Sequence, residues 1–385
     1  NNQSTSVWEK TSMNAKDITF LEDTFKKFYF ENFDLLHVPD DPNQREFGYQ
    51  KFNGGMNRHI SLKSDKELHL LLMQNKPSDV YCSNARYMFP NLPMSEKDWQ
   101  NAELIFDIDA KDLRKEHPKD NTIIKCSDCN EISQLNESCP NCQSTKLSFI
   151  TLTCSDCIKS SKDEVHKLNR ILTDDLGINE DNIKIFFSGN EGFHIYVPKS
   201  EYESVGSKER AEISDYIMFR GSIPETFGFR KFNMNKSSLP KFDDAGWNGR
   251  LAKHLYGTKS NRSKISQEVI SGGYALFQKK LEDFRDSIGI KIDPNVTQDI
   301  HRIFRLPGSI NSKSGLTKIF VEDLKKFDPY VDACFIDDEE IEVAANCPIE
   351  FSLKKKKFGP FNNEQVSVPK FAAVYMMCKG IASRV

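Results

Sequence analysis

The chain has 385 residues, with 53 lysines and arginines against 56 acidic residues and a formal net charge of −3. Thirty-eight per cent apolar and 28 % charged residues describe a globular chain, long enough for about two or three domains and a sizeable core. That balance excludes a polycation, so any contact with nucleic acid has to come from local basic surface. No stretch approaches the roughly 18 apolar residues of a membrane helix, and the first residues carry no signal-peptide pattern. Neither a membrane span nor secretion is expected. The chain starts on Asn rather than Met, as a trimmed chain would.

In chain order, Asp23 to Glu31 is aromatic-rich with helical spacing and predicts a core-facing helix. Residues 45–62 predict two short strands around a Gly54-Gly55 turn. Ser64 caps a helix from Asp65 to Met73, with Glu67 completing a capping box. Tyr87 to Asp98, with Pro90 and Pro93, reads as a connection, and Glu103 to Asp109 as an apolar strand ending in acid. Asp163 to Leu176 has helical periodicity and stops at Gly177. Ile183 to Phe187 and Phe193 to Val197 are strands separated by Ser-Gly-Asn-Glu-Gly. Residues 200–290 are more polar and largely helical, broken at Pro224, Pro240 and Gly272-Gly273. Thr297 to Phe304 reads as a helix that must end before Pro307-Gly308. The runs Asp337 to Glu342 and Lys354 to Lys357 read as solvated faces. Alternating strands and helices give an α/β, or mixed α+β, fold class.

Six of the ten cysteines lie in three C-x-x-C pairs: Cys126/Cys129, Cys139/Cys142 and Cys154/Cys157. In a chain without signs of secretion, such pairs read as metal ligands before disulfides or a redox couple. Cys126-x-x-Cys129, nine residues, then Cys139-x-x-Cys142 is a compact zinc-ribbon spacing. Zinc held by four thiolates is structural, because no coordination position stays open. Spacing leaves open which four of the six bind.

Asp107 and Asp109 stand two apart on a strand, so both carboxylates project to one face. Two like charges side by side call for a cation between them, and hard oxygen ligands suit magnesium or manganese. An exposed acidic pair at a strand end is the rival account. Ser188-Gly189-Asn190-Glu191-Gly192 can expose backbone N–H groups to an anion, and His194 and Tyr196 share one face of the strand that follows. Farther on come Asp293-Pro294 and then Arg302 and Arg305, three apart and so on one face of the expected helix. A third carboxylate near two guanidinium groups suits a metal-bound triphosphate, and equally a surface salt-bridge cluster.

Asp107-Ile-Asp109, Ser188-Gly-Asn-Glu-Gly-Phe-His194 and Asp293-Pro-Asn-Val-Thr…Arg305-Leu-Pro-Gly-Ser resemble three ordered motifs of the catalytic small subunit of archaeal and eukaryotic DNA primase. Cys154-x-x-Cys157, leading into a helix, looks like that family's zinc element. Arg45-Glu-Phe-Gly-Tyr and Asn57-Arg-His-Ile-Ser look like its N-terminal signature. The similarity runs from about residue 40 to about residue 325, and the short linkers favour the archaeal branch.

The resemblance implies a primase-type catalytic core with a zinc-binding insertion and a small, mainly helical subdomain. Its expected division is 1–124 and 159–199 for the core, 125–158 for the insertion, 200–290 for the helical part, and 291–385 for core completion and tail. Asp107, Asp109 and Asp293 would bind two catalytic magnesium or manganese ions. Ser188, Gly189, His194 and Arg305 would meet the nucleotide, with Arg302, Lys318 and Arg58 as further candidates. The implied activity is synthesis of RNA primers, with DNA as a further product, on single-stranded DNA from nucleoside triphosphates. The implied partner is an iron–sulfur large subunit in a heterodimer. The implied location is cytoplasmic and nucleoid-associated in an archaeon, or nuclear in a eukaryote. Two readings compete: a primase-related repair polymerase that extends existing primers, and a zinc-dependent nucleic-acid-binding module without catalysis.

Three departures stand out. Asn190-Glu191 occupies a place where relatives commonly carry a basic residue, and Asn311 one that is often His. The pairs Cys126/Cys129 and Cys139/Cys142 exceed the family's ligand count. Either they form a self-contained ribbon, which is favoured, or one pair joins Cys154 and Cys157.

Overall fold

A computed structural model describes residues 13–114, 116–230 and 236–385. Residues 1–12 and 115 of the expected N-terminal core segment, and 231–235 of the expected helical part, lie outside it. The first helix, α1 (Ala15–Glu31), starts where the Asn14 side chain accepts from the Asp17 N–H, and it buries Ile18, Leu21, Phe25, Phe28 and Tyr29 along one stripe. Strands β1 (Phe47–Gln50) and β2 (Met56–Ile60) form the expected antiparallel hairpin. Helix α2 (Asp65–Asn75) has Ser64 as its cap, accepting from the Glu67 N–H; the Glu67 carboxylate reaches back to the Lys63 N–H at 2.7 Å. The capping box therefore closes one residue earlier than the usual pattern.

Next come β3 (Asp79–Ser83), β4 (Ala85–Tyr87), β5 (Trp99–Ala102) and β6 (Leu104–Asp109), the last running into the short helix α3 (Ala110–Leu113). A separate small sheet of β7 (Thr122–Cys126), β8 (Ile132–Gln134) and β9 (Leu147–Thr151) carries the first two cysteine pairs. Helix α4 (Ser155–Asp174) begins eight residues before the expected start, because the Cys154 sulfur accepts from the Cys157 N–H and caps it. Then β10 (Lys184–Phe187) and β11 (Gly192–Val197) follow as expected.

The segment after residue 200 is helical: α5 (Ser207–Ile217), α6 (Gly246–Tyr256) and α7 (Arg262–Ile288), the last broken at Gly273 with φ 73°. The wholly buried Arg210 ties it to the core, donating to the carbonyls of Ala102, Glu103, Tyr202 and Val205.

The helix expected over Thr297 to Phe304 is not there. Helix α8 is only Pro294–Gln298, capped by Asp293, and Ile303–Arg305 is a strand, β12, paired with β3. Ile303 and Phe304 suit a pleated surface, and an open edge of β3 was available to them. The C-terminal part comprises α9 (Pro329–Asp332), β13 (Glu340–Cys347), β14 (Phe351–Leu353), β15 (Lys356–Phe358), β16 (Phe361–Pro369), α10 (Lys370–Cys378) and β17 (Ala382–Arg384).

Two antiparallel sheets frame the centre, one in the order β12-β3-β1-β2 and one in the order β10-β11-β6. In the second, Asp107 pairs with His194 and Asp109 with Gly192. The Asp293 N–H donates to the Asp107 carbonyl at 3.0 Å, which brings the start of α8 to the end of β6. At position 192 any side chain would collide: a Cβ there would lie 2.3 Å from the Ile108 carbonyl oxygen and 2.6 Å from Asp109 Oδ1. Gly192→Ala is expected to cost about 1–3 kcal/mol of stability, as overpacking does. An unchanged urea midpoint would show that the strands part without cost.

Candidate active site

The geometry at the ends of β6, β11, β12 and α8 gathers most of the residues singled out from sequence. Asp107 and Asp109 project to one face of β6. Asp293 uses Oδ1 to cap α8 through the Asn295 N–H at 3.0 Å. Asp107 Oδ1 is buried and accepts no hydrogen bond among the described residues, and His194 Nε2 stands 3.4 Å from it. Burial first, and then the charges of Asp109 and Asp293, push the Asp107 carboxyl up to about 8, although Arg302 and Lys111 offset part of this. A buried carboxylate oxygen without a donor, beside two more carboxylates, is the environment a divalent cation relieves. The donor set is hard oxygen, which fits magnesium or manganese.

The turn after β10 is held at every residue. The Ser188 carbonyl accepts from Asn311 Nδ2 at 3.2 Å, and the Gly189 carbonyl accepts from the Ser314 hydroxyl. Asn190 Oδ1 accepts from Lys379 Nζ at 3.1 Å, and Glu191 pairs with Arg114 at 3.3 Å. Gly189 has φ 86°, and a Cβ there would meet Asn311 Cβ at 2.8 Å. The Ser188 hydroxyl accepts from the Gly192 N–H at 3.2 Å and keeps its own proton to donate. Glu191 therefore belongs to an ion pair that supports the turn, and Asn311 is a buried strut of the same turn.

Arg305, at the end of β12, is fixed by Asp79: Nη1 donates to Asp79 Oδ1 at 2.5 Å and to the Ile310 carbonyl at 2.9 Å. Asp79 also accepts from the Ser312 N–H at 3.1 Å and the Ser312 hydroxyl at 2.6 Å. Burial works against the Asp79 charge, but Arg305 and Ser312 outweigh it and hold the carboxyl below its ordinary range. Arg302 lies just before β12, so the two arginines do not share a helical face. Both nevertheless act on His194, which burial, Lys318, Arg305 and Arg302 together hold well below the ordinary imidazole range. Lys318 is wholly buried against His194 and Tyr196. Arg58 is committed elsewhere, to Glu46 at 2.9 and 3.2 Å.

Three residues here were not singled out from sequence. Lys111 Nζ lies 2.9 Å from Asp109 Oδ2, and its i+2 spacing from Asp109 was a usable signal. Lys313 is electrostatically linked to Arg305, Lys111, Asp109 and Asp79, and it sits in the Ser-Lys-Ser-Gly turn. Asp79 carries no local signal, because its partner is more than 200 residues away.

The second cluster is separate. The sulfurs of Cys126, Cys129, Cys139 and Cys142 all lie within 4.8 Å of one another, with Cys126–Cys142 and Cys129–Cys139 at 3.5 Å. A tetrahedron of about 2.3 Å zinc–sulfur bonds has edges of roughly 3.8 Å. The cluster therefore has the dimensions of a zinc site. The Cys129 N–H aimed at the Cys126 sulfur is the largest influence lowering that thiol to about 7, which favours the thiolate a metal needs. Cys154 and Cys157 stand apart, packed against Ala110 at the start of α4, with Arg114 Nη1 3.3 Å from the Cys157 sulfur.

A family model described as DNA primase small subunit matches residues 137–323. The DNA primase small subunit PriS of Nitrosopumilus maritimus (strain SCM1) is 64 % identical over 371 residues, covering 96 % of this chain and 100 % of the relative. Its counterpart in Cenarchaeum symbiosum (strain A) is 49 % identical over the same shares. The Archaeoglobus fulgidus protein is 30 % identical over 94 % of this chain and 98 % of its own. The chain belongs to the DNA primase small subunit family, in its archaeal form, and primase small-subunit function goes with that membership.

Asp79 supplies a stability test. Its folded pKa lies below the unfolded value near 4, so the ionised carboxylate stabilises the fold at and above that pH. That contribution is lost as pH falls through the folded value. Near neutrality Asp79→Asn is expected to be less stable by about 3 kcal/mol, because Arg305 loses its buried partner. The gap from wild type should close below about pH 4 in urea titrations. A gap that stays constant on acidification would mean Asp79 is not the anchoring charge.

Proposed function

We propose that this chain is the catalytic subunit of a primase, making short RNA primers on single-stranded DNA by nucleotidyl transfer. The observation that carries this reading is the buried, donorless Asp107 oxygen among three carboxylates, next to a rigid turn and two arginines. Magnesium or manganese ions held by Asp107, Asp109 and Asp293 would lower the pKa of the attacking 3′-hydroxyl and clamp the triphosphate.

This chain's own residues then have separable tasks. The Ser188 hydroxyl donates to a phosphate oxygen while the Gly192 N–H fixes its orientation. His194 donates through Nε2. Arg302, Arg305 and Lys313 offset phosphate charge, with Arg305 already oriented by Asp79, so little reorganisation is needed. The four-cysteine cluster holds a structural zinc ion that fixes the insertion. The expected partners are a large, iron–sulfur subunit, a single-stranded DNA template and nucleoside triphosphates. Among the described residues no helix is long and apolar enough to cross a membrane.

The test supplies unprimed poly-pyrimidine DNA, labelled nucleotides and manganese or magnesium, and resolves products by length. New short oligonucleotides are expected from wild type. Asp109→Asn should lower incorporation by more than about a hundredfold, since even outer partners of a metal ligand are worth 10–100-fold. Its melting temperature should stay close to wild type. Extension only from supplied primers would favour the repair-polymerase reading, and equal rates in both proteins would refute the metal assignment. Separately, the purified chain should carry one zinc ion, and Cys139→Ser should lose it and melt lower before catalysis suffers. A zinc-free chain of undiminished stability would contradict the ribbon.

A further inference from the structure

The last helix reaches the turn after β10 in two places. Lys379 follows the end of α10, and its side chain is only 9 % exposed. Nζ lies 3.1 Å from Asn190 Oδ1 and 3.9 Å from Glu191 Oε1, with the Tyr375 ring of the preceding turn at 5.6 Å. The backbone that carries it is fixed. The Lys379 N–H donates to the Tyr375 carbonyl at 3.0 Å, the Ile381 N–H to the Met376 carbonyl at 3.0 Å, and the Asn346 N–H to the Ile381 carbonyl at 2.9 Å. The second place is Gly315, which packs so closely on α10 that a Cβ there would lie 2.7 Å from Val374 Cγ1. Gly315 follows Ser314, whose hydroxyl holds the Gly189 carbonyl. One helix therefore backs the turn both directly and through the 311–315 loop.

That support bears on what the turn can bind. The Ser188 and Gly189 carbonyls and the Asn190 and Glu191 side chains are all taken up. The N–H groups of Gly189, Asn190 and Glu191, by contrast, find no backbone acceptor among the described residues. Successive free N–H groups suit an anion only while the turn keeps them aimed together. We infer that Lys379 is a positioning residue for the proposed reaction: it fixes the Ser188–Gly192 turn through Asn190 and Glu191, so that the turn meets the triphosphate already shaped. The Lys379 amine is committed to those two side chains and does not itself touch the nucleotide. The identity of the ligand rests on the primase reading above, but the fixing of the turn belongs to the protein alone.

The experiment compares the full chain with Lys379→Met and Lys379→Gln. Arg114 still pairs with Glu191 in both variants, so neither leaves a bare carboxylate in the interior. Amide hydrogen exchange without nucleotide reads the turn itself. The Ser188 N–H, bonded to the Gly192 carbonyl, and the Gly192 N–H, bonded to the Ser188 hydroxyl, should exchange faster in Lys379→Met, while Ile195 inside the sheet should not change. Binding of inorganic triphosphate with manganese, followed by calorimetry, should weaken about tenfold, the size of one hydrogen bond to a charged group. In incorporation assays the nucleotide KM should rise by about the same factor, with kcat changed less than about threefold. Lys379→Gln has no charge but can still donate to Asn190, and it should fall near wild type in every measurement.

A purely structural role predicts a lower melting temperature with turn exchange and triphosphate affinity unchanged, and that result would overturn the inference. Lys379→Gln as weak as Lys379→Met would overturn it too, because the charge rather than the contact would then be at work. So would a loosened turn that binds triphosphate as tightly as before. Wild type that binds triphosphate in the expected Lys379-dependent way, yet incorporates no nucleotide, would count against the primase reading alone.

Discussion

The pairing of β6 with β11 sets Asp107 opposite His194 and Asp109 opposite Gly192, and the rest of the site depends on that register. The opposite face of the same strands fixes it. Leu104, Phe106 and Ile108 alternate with the acids, and they pair with Val197, Ile195 and Phe193 over the apolar stripe of α4. A slip of one residue in β6 would turn Leu104, Phe106 and Ile108 away from α4 and push the carboxylates into that apolar layer instead. Each such side chain is worth about 1.5–3 kcal/mol when buried, so the slip would cost several kcal/mol. The core therefore specifies where the carboxylates point. Gly192 then lets the strands approach closely enough for the Asp109 carboxylate to lie against the β11 backbone.

Charge around the carboxylates is kept near by, but not in contact. An unanchored guanidinium beside Asp107 would form a bidentate pair with it and occupy the position a cation needs. Asp79 and the Ile310 carbonyl prevent this by fixing Arg305 from behind. Lys318 is restrained in the same way by His194 Nδ1, the Tyr196 hydroxyl and the Arg305 carbonyl. Burial first, and then their fields, hold His194 well below the ordinary imidazole range. Lys111 differs: it is exposed and lies directly on Asp109, so it can move away when another cation arrives.

Much of this was legible in the chain. Period-two alternation placed Asp107 and Asp109 on one face, and it placed His194 with Tyr196. The cysteine spacing anticipated the four-sulfur cluster. The helix assigned to Thr297–Phe304 failed because Ile303 and Phe304 found the free edge of β3, a tertiary partner that no local pattern reveals. The helical face expected to carry Arg302 and Arg305 does not exist, yet the charges of both act on His194. Asp79 stayed hidden because a lone acid before an apolar strand has no signature until its distant arginine is known. Ile341, Val343, Ala345 and Cys347 alternate as a half-buried strand, β13, and the acidic residues of the neighbouring run mask that pattern in the sequence. Glu340 and Glu342 are indeed exposed, whereas Asp337 is tied to Lys27 and Lys370.

The tail is where sequence patterns carried least, yet it completes the site. Helix α10 is buried from Lys370 to Met377, as expected of a helix apolar on every side. Its end delivers Lys379 to Asn190 and within 3.9 Å of Glu191. Arg114, just past β6, holds Glu191 from the other direction, and Asn311 and Ser314 hold the first two residues of the turn. Supports from three distant parts of the chain thus converge on four consecutive residues. Asn190 and Glu191 hold the turn in place through Lys379 and Arg114. Of the residues proposed to meet phosphate, Ser188 and Arg305 reach the site already oriented.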